Sequence, residues 1–509
     1  MPPADVAAPS APAPEPARPA RRRDRLAALP WPLLALLALS IATFVGFLVY
    51  PTYPNYDSYY SLLWGREVLH GHLPSFDEYR SPTEHPLAVL FGAVLSLLGR
   101  GGDRVMVFCT EASFVVLCAG VYRLARQAFT PLVGLAAAGI LCTRFDFPFL
   151  AARAYIDIPY LAFVVWAAAL ELERPRRGRV VWVLLACAGL LRPEAWLLIG
   201  LYFLWMCSGE LGPDHARRER LVRWARYAAW AAVGPVVWVV TDYVVTGHPL
   251  FSLQHTSGLA EELGRTKGLS EVPASMQHFF FNLAKAPVLY AAIAGFLAAL
   301  WLVPRRVVMP TVLWLIGTGT FVLVGVAGLS VIDRYLLVPT LMVMVFAAVA
   351  LAGWTLLRED LLIRKVWAVA AGLVIVWGVA FTATRVNFRV FDAELQLRGA
   401  SHRSLVDLLD KPEVRAARRC GVVTTPTHKL IPDTRWVLGA SADEVLARAD
   451  PQTKARAAQR KGLDLFVVDR GALLRQALVA ETDDVFDNLP LPGDHRLAFT
   501  PYYSAYVRC

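Results

Sequence analysis

Residues 53–87 read YPNYDSYYSLLWGREVLHGHLPSFDEYRSPTEHPL, directly after the first long apolar run, and their reading decides the fold. The stretch sets Asp57, Asp77, Glu78, Glu84, His70, His72 and His85 among Tyr53, Tyr56, Tyr59, Tyr60 and Trp64. Ionisable side chains beside a membrane-length segment are costly unless they face water, a partner or a ligand. The stretch therefore reads as the first outer loop (51–104) of a polytopic membrane protein, with Asp57 as the acid expected to do chemistry. The plainer alternative is an aromatic interfacial belt around a solvated acid.

The rest of the chain supports a membrane protein. It has 509 residues, 56% hydrophobic and 18% charged, with mean hydropathy +0.45. Apolar runs of about 20 residues, the length that crosses roughly 30 Å of hydrocarbon, recur over 30–384. We expect an all-α body of about 11 transmembrane helices, followed by a small soluble α/β module at 385–509. Residues 1–29, Ala/Pro-rich and ending in Arg21, Arg22, Arg23 and Arg25, read as a disordered cytoplasmic tail. The net charge of +10 does not point to nucleic acid, because the arginines sit in short clusters between spans.

Parity follows from those clusters. The run 86–99 is short for a span and reads as a juxtamembrane helix in the interface. The basic clusters at 123–126, 174–179, 217–226, 305–306 and 358–365 then share the inner side with the N-terminus. Arg192-Pro193-Glu194 interrupts 180–207, so that run reads as two short helices with the charged pair at an outer tip. The long loop 247–285 and the short loop 328–335 fall outside, as does the C-terminal module. The loop 247–285 is expected to lie on the interface and help admit lipid or acceptor.

In the C-terminal module, 392–418 and 442–449 have helix-like patterns, whereas RWVLG (435–439), DLFVVD (464–469) and YSAYVRC (503–509) read as strands. It carries no phosphate loop, zinc spacing or nucleophile elbow, and reads as a lid or wall-contacting module without chemistry of its own. Cys420 and Cys509 are open to a disulfide or to two free thiols.

Further short motifs lie at outer span ends: RAYIDIP (153–159), LRPEAW (191–196) and VIDRYLLVP (331–339). Arg192 and Glu194 read as a phosphate or sugar contact, or as a structural ion pair. Arg334 reads as a phosphate ligand, or as a partner of Asp333 that snorkels to the headgroups. His85 is open to substrate contact or to a helix-capping role, and Asp157 to the role of a helix N-terminal acid. His70 and His72 read as solvated, and with only Asp57 well placed for a hard cation no metal is expected.

Together these motifs resemble the GT-C class of membrane glycosyltransferases, in particular the protein O-mannosyltransferase and aminoarabinose-transferase branch. There the first outer loop reads roughly Asp-Glu, aromatics, Gly-x-x-Pro and His-Pro-Pro-Leu. Here the corresponding residues are Asp57-Ser58, Tyr59-Tyr60, Gly71 to Pro74, and His85-Pro86-Leu87. Arg153 and Asp157 match the family's Arg/Asp pair before a span, and Arg334-Tyr335 with Pro339 its late Arg-Tyr. Ser58 replaces the family's partner acid, so Asp77, Glu78 and Asp157 are the candidates for a second carboxylate. Leu87 replaces the family's second proline.

The resemblance implies inverting transfer of a hexosyl or pentosyl group from a polyprenyl-phosphate donor to a glycan, lipid or protein acceptor on the outer face. Asp57 would be the base and Arg334 the leading phosphate ligand. Tyr335, His85, Glu84, Arg153, Asp157, Arg192, Glu194 and Tyr60 would contact the donor or substrate, with no cofactor. The rival reading from sequence is a polytopic transporter or flippase; a membrane scaffold with a working tail is a third.

Overall fold

The computed structural model describes residues 31–211, 217–385, 388–456, 461–481 and 483–509; the expected N-terminal tail lies outside them. The chain is mostly helical and ends in a small sheet. Among the described residues six helices are long and apolar enough to cross a membrane, or eight if each of two sharply bent pairs counts as one span. The protein is a multi-pass membrane protein. The helices Arg179–Leu191 and Ala195–Ser208 stop on either side of Arg192-Pro193-Glu194, as the proline and the buried charge require. The loop 247–285 is itself helical, with Phe251–Glu262 and then Val272–Ala284; the latter turns sharply into Ala286–Leu302.

The loop 51–104 folds around two packed helices. Tyr56–Leu69 buries Tyr59, Tyr60, Leu62, Leu63 and Trp64, while Pro86–Ser96 lies against it. Glycine permits this contact: a Cβ on Gly65 would collide with the backbone of Ala93, and one on Gly92 with the Ser61 carbonyl. We expect Gly92→Ala to lower stability by about 1–3 kcal/mol, because the obstacle is backbone rather than a movable side chain. Thermal unfolding of the purified protein in detergent measures this, and Gly139→Ala, where a Cβ meets open space, is the control.

The C-terminal sheet has the order β2-β1-β3-β5-β4: β1 (Val422–Thr425), β2 (Val445–Ala447), β3 (Gly462–Val467), β4 (His495–Phe499) and β5 (Tyr503–Arg508). β1 is parallel to β2 and β3, and β5 is antiparallel to β3 and β4. Two segment readings are corrected. RWVLG lies in the helix Ile431–Leu438, which has Pro432 in its first turn and is closed by left-handed Gly439. The helix expected near 442–449 contains strand β2 instead. Cys420 and Cys509 form a disulfide that ties the approach to β1 to the chain end after β5.

Buried polar bonds seat this sheet unit on the first loop. The Arg435 guanidinium, with no exposed side-chain surface, bonds Glu67 at 2.7 Å and also Glu78. Arg66 Nη2 donates to the Ala440 carbonyl at 2.9 Å, and Gln476 Nε2 to the Tyr53 hydroxyl at 3.0 Å. Trp436 joins Tyr53, Tyr59, Tyr60 and Trp64 in one apolar cluster. The first loop is thus held between the helical body and the sheet unit.

Candidate active site

The first turn of Tyr56–Leu69 presents Asp57. Asn55 caps this helix, its Oδ1 accepting from the amides of Asp57 (2.8 Å) and Ser58 (3.2 Å). The cap is fixed in turn, since the Asn55 amide donates to the Arg153 carbonyl at 2.7 Å. Ser58 Oγ donates to the Ala154 carbonyl at 2.6 Å, and Ala154 adopts φ 53°. A buried hydroxyl donating to a carbonyl explains why serine rather than an acid follows Asp57. A carboxylate there would face a carbonyl oxygen and lose its solvent.

A chain of ion pairs runs inward from Asp57. Arg334 Nη1 lies 3.3 Å from Asp57 Oδ2 and 3.5 Å from Asp157 Oδ2. Asp157, fully buried, also bonds Arg192, whose Nη2 reaches Glu194 Oε1 at 2.8 Å. Of the three candidate acids, Asp157 is the one that shares Arg334 with Asp57. Asp77 is exposed, and Glu78 is spent on Arg435, Ser75 and Tyr60. Arg334 pairs with these two aspartates and not with Asp333.

Asp57, Arg334, Arg192, Glu194, His85 and Tyr335 line one cavity of about 270 Å³. Two further parts of its wall are apolar. Trp196 and Trp238, each donating its indole N–H to the Gly189 carbonyl at 3.1 Å, form an aromatic face. Leu250, Leu253, Leu259 and Leu263 from the 247–285 segment form an apolar one. His85 starts the helix Pro86–Ser96 without a side-chain capping bond, and its ring meets Trp238 edge-on. Its capping alternative is set aside. Glu84 is buried beside Asp242 and does not line the cavity. Arg153 and Tyr60 do not line the cavity: the Arg153 guanidinium lies 3.8 Å over the Tyr53 ring, and the Tyr60 hydroxyl bonds Glu78.

The electrostatics favour an ionised Asp57. Burial alone would raise its pKa, but the charges of Arg334 and Lys429 outweigh burial and hold it below the ordinary carboxylate value. Burial, reinforced by Asp242, lifts Glu84 to about 9, so it is protonated at neutral pH. Burial also lowers His85 to about 4, leaving it neutral. Among the described residues no cluster of three or more His, Cys, Asp or Glu side chains is placed to hold a metal ion.

Sequence reasoning misses several lining residues, above all His428 and Lys429 of the C-terminal unit, and Arg265, Asp242 and Arg80. The helical body and sheet unit together match ArnT from Cupriavidus metallidurans bound to undecaprenyl phosphate. That comparison gives 13% identity and a TM-score of 0.56, covering 94% of this chain and 98% of that one. The chain has the fold of the GT-C glycosyltransferases. The archaeal oligosaccharyltransferase AglB from Archaeoglobus fulgidus, in complex with an inhibitory peptide and a dolichol-phosphate, is similar as well. It is 12% identical, with a TM-score of 0.55, and the match covers 94% of this chain and 74% of that one. No protein-family model matches the sequence, and no curated protein does. The GT-C fold brings Asp57, Asp157 and Arg334 together from three segments separated by about 100 and 177 residues.

Proposed function

We propose that this protein is an inverting glycosyltransferase that moves a sugar from a polyprenyl-phosphate donor to an acceptor hydroxyl at the outer face of the cytoplasmic membrane. The observation that carries this reading is a carboxylate in the first turn of a helix, paired with Arg334 and opening into a cavity with indole, aliphatic and cationic walls. Indole faces suit a sugar ring, aliphatic walls a prenyl chain, and guanidinium and ammonium groups a phosphate.

In the proposed reaction the acceptor oxygen attacks the anomeric carbon as its proton passes to Asp57. The bond from that carbon to the phosphate oxygen breaks, and its electron pair leaves on the phosphate. Phosphate is a good leaving group, so the site needs chiefly a base, positioning and countercharge. Asp157 touches no cavity space; its role is to hold Arg192 and Arg334 in place. Similarity to proteins solved with undecaprenyl phosphate and dolichol-phosphate supports the donor class. The two-cysteine bridge supports an oxidising, external location for the C-terminal unit. About 11 spans, with the N-terminus inside, complete the proposed topology.

The test is transfer by the full-length protein in lipid, given radiolabelled polyprenyl-phosphate hexoses or pentoses and a membrane or wall fraction, with and without a chelator. Label should move from lipid to acceptor, with no loss on chelation. Solute uptake in vesicles without any transfer would overturn the reading in favour of a transporter. A reporter fused at the C-terminus that signals cytoplasm would overturn the topology.

A further inference from the structure

Five basic side chains line the cavity: Arg80, Arg192, Arg265, Arg334 and Lys429. Three are already engaged. Arg80 bonds Glu262 at 2.9 Å and Asp483 at 3.1 Å, and Arg192 and Arg334 belong to the aspartate network. Among the described residues the side chains of Arg265 and Lys429 make no hydrogen bond and no ion pair. Lys429 Nζ lies only over the face of Tyr56, 4.3 Å from the ring centroid.

Placement sharpens the point. A second cavity, of about 340 Å³, lies between residues 263–266 and 331–332 of the helical body and residues 428–429 and 479–481 of the sheet unit. Arg265, His428 and Lys429 line both cavities, so they stand where the two meet. His428 is 1% exposed, and its Nδ1 has no hydrogen-bond partner. The turn His428–Leu430 is fixed: Thr427 accepts from the Lys429 amide and donates to the Gln476 carbonyl at 2.7 Å, while Leu430 is buried in the sheet-unit core. Two cations without an ion-pair partner among the described residues, beside a buried imidazole whose Nδ1 is unbonded, form a cradle suited to an anion.

We propose that Lys429 and Arg265 hold the phosphate of the lipid carrier, so that the C-terminal unit completes the active site. The assignment rests on the transferase reading for its ligand, and it moves the phosphate role away from Arg334. Arg334 already has its charge matched by two carboxylates at Nη1, whereas Lys429 and Arg265 have no ion-pair partner among the described residues. Burial draws Lys429 down to about 8, with Asp57 and Asp483 opposing it and Arg265 and Arg334 adding to it. It remains largely an ammonium at neutral pH. Arg265 is exposed, so its guanidinium is open to a headgroup from solvent.

The experiment measures binding of undecaprenyl phosphate, which carries no sugar, to the full-length protein in nanodiscs, with inorganic phosphate as a second, soluble probe. Lys429→Met and Arg265→Gln should each weaken lipid binding by roughly 10- to 100-fold, the loss of a charge-assisted bond. Lys429→Arg should restore most of it, which a packing role for the lysine stem would not predict. Weakening with both probes assigns the site to the phosphate group itself, and weakening with the lipid alone to a lipid headgroup. Unchanged binding of both probes in the folded double variant would overturn the proposal. Lysine-dependent binding without transfer from any donor would instead overturn the transferase reading and leave this site standing.

Discussion

Replacing Asp57 by Asn lowers sugar transfer by about 10²–10⁴-fold, the usual contribution of a positioned general base, while the protein stays folded. The amide keeps the size of the side chain, and the backbone N–H of residue 57 remains bonded to Asn55. Arg334 loses one carboxylate but keeps Asp157. Lys429 and Arg265 are untouched and lose a nearby competing negative charge, so lipid phosphate binding should persist or tighten in this variant, which separates loss of chemistry from loss of substrate. Asp57 is held ionised by its neighbours, so it is a weaker base than a free carboxylate. It suits a reaction driven by departure of phosphate, in which the acceptor proton is released late.

The pH profile follows with a definite sign. A depressed pKa keeps the basic form populated at and above the ordinary carboxylate range, so the Asp57 limb should lie well on the acid side of neutrality, with activity flat from there through neutral pH. An acid limb near neutrality would mean that the base is not Asp57. Asp57→Asn that retains full transfer from a defined donor would remove the catalytic assignment altogether.

Much of this arrangement is legible in the chain, for physical reasons that differ from element to element. Arg192-Pro193-Glu194 admits essentially one reading, because proline ends the preceding helix and two charges cannot rest in hydrocarbon. Asp57, Asp157 and Arg334 stand out as ionisable groups at the ends of apolar runs. Lys429 carries no such mark. TPTHKLIP is an ordinary polar turn, and only docking of the sheet unit through Arg435, Trp436 and Gln476 brings it to Asp57. The misread RWVLG illustrates how local composition can mislead: Trp436 and Val437 favour strands, but Pro432 and Gly439 mark the ends of a short helix. Arg153 is matched by motif yet packs on Tyr53; its contribution to the site is its backbone carbonyl, which anchors Asn55. A motif match reports the position, whereas the backbone geometry around Ala154 determines which atom of that position is used.

Asp157→Leu should destabilise the protein more than any change at Asp57. The Asp157 side chain has no exposure and is the one carboxylate shared by Arg192 and Arg334. Arg192 is itself buried and would keep only Glu194. Removing one partner of a buried pair leaves a charge without compensation and costs about 3–5 kcal/mol, whereas replacing both members by apolar groups is often close to neutral. The diagnostic experiment is therefore a cycle of Asp157→Leu, Arg192→Met and the double variant, read by thermal unfolding in detergent. Each single change should lower stability strongly, and the double variant should recover most of the loss. Transfer should not recover with it, because Arg334 would then have Asp57 as its remaining partner in the network. That guanidinium would draw the base into a tighter pair and away from the acceptor proton. Recovery of both stability and transfer in the double variant would show that Asp157 only neutralises Arg192. Recovery of stability alone, with transfer retained in the Arg192→Met single variant, would make Asp157 the group that positions Arg334 and so sets Asp57 free to accept a proton.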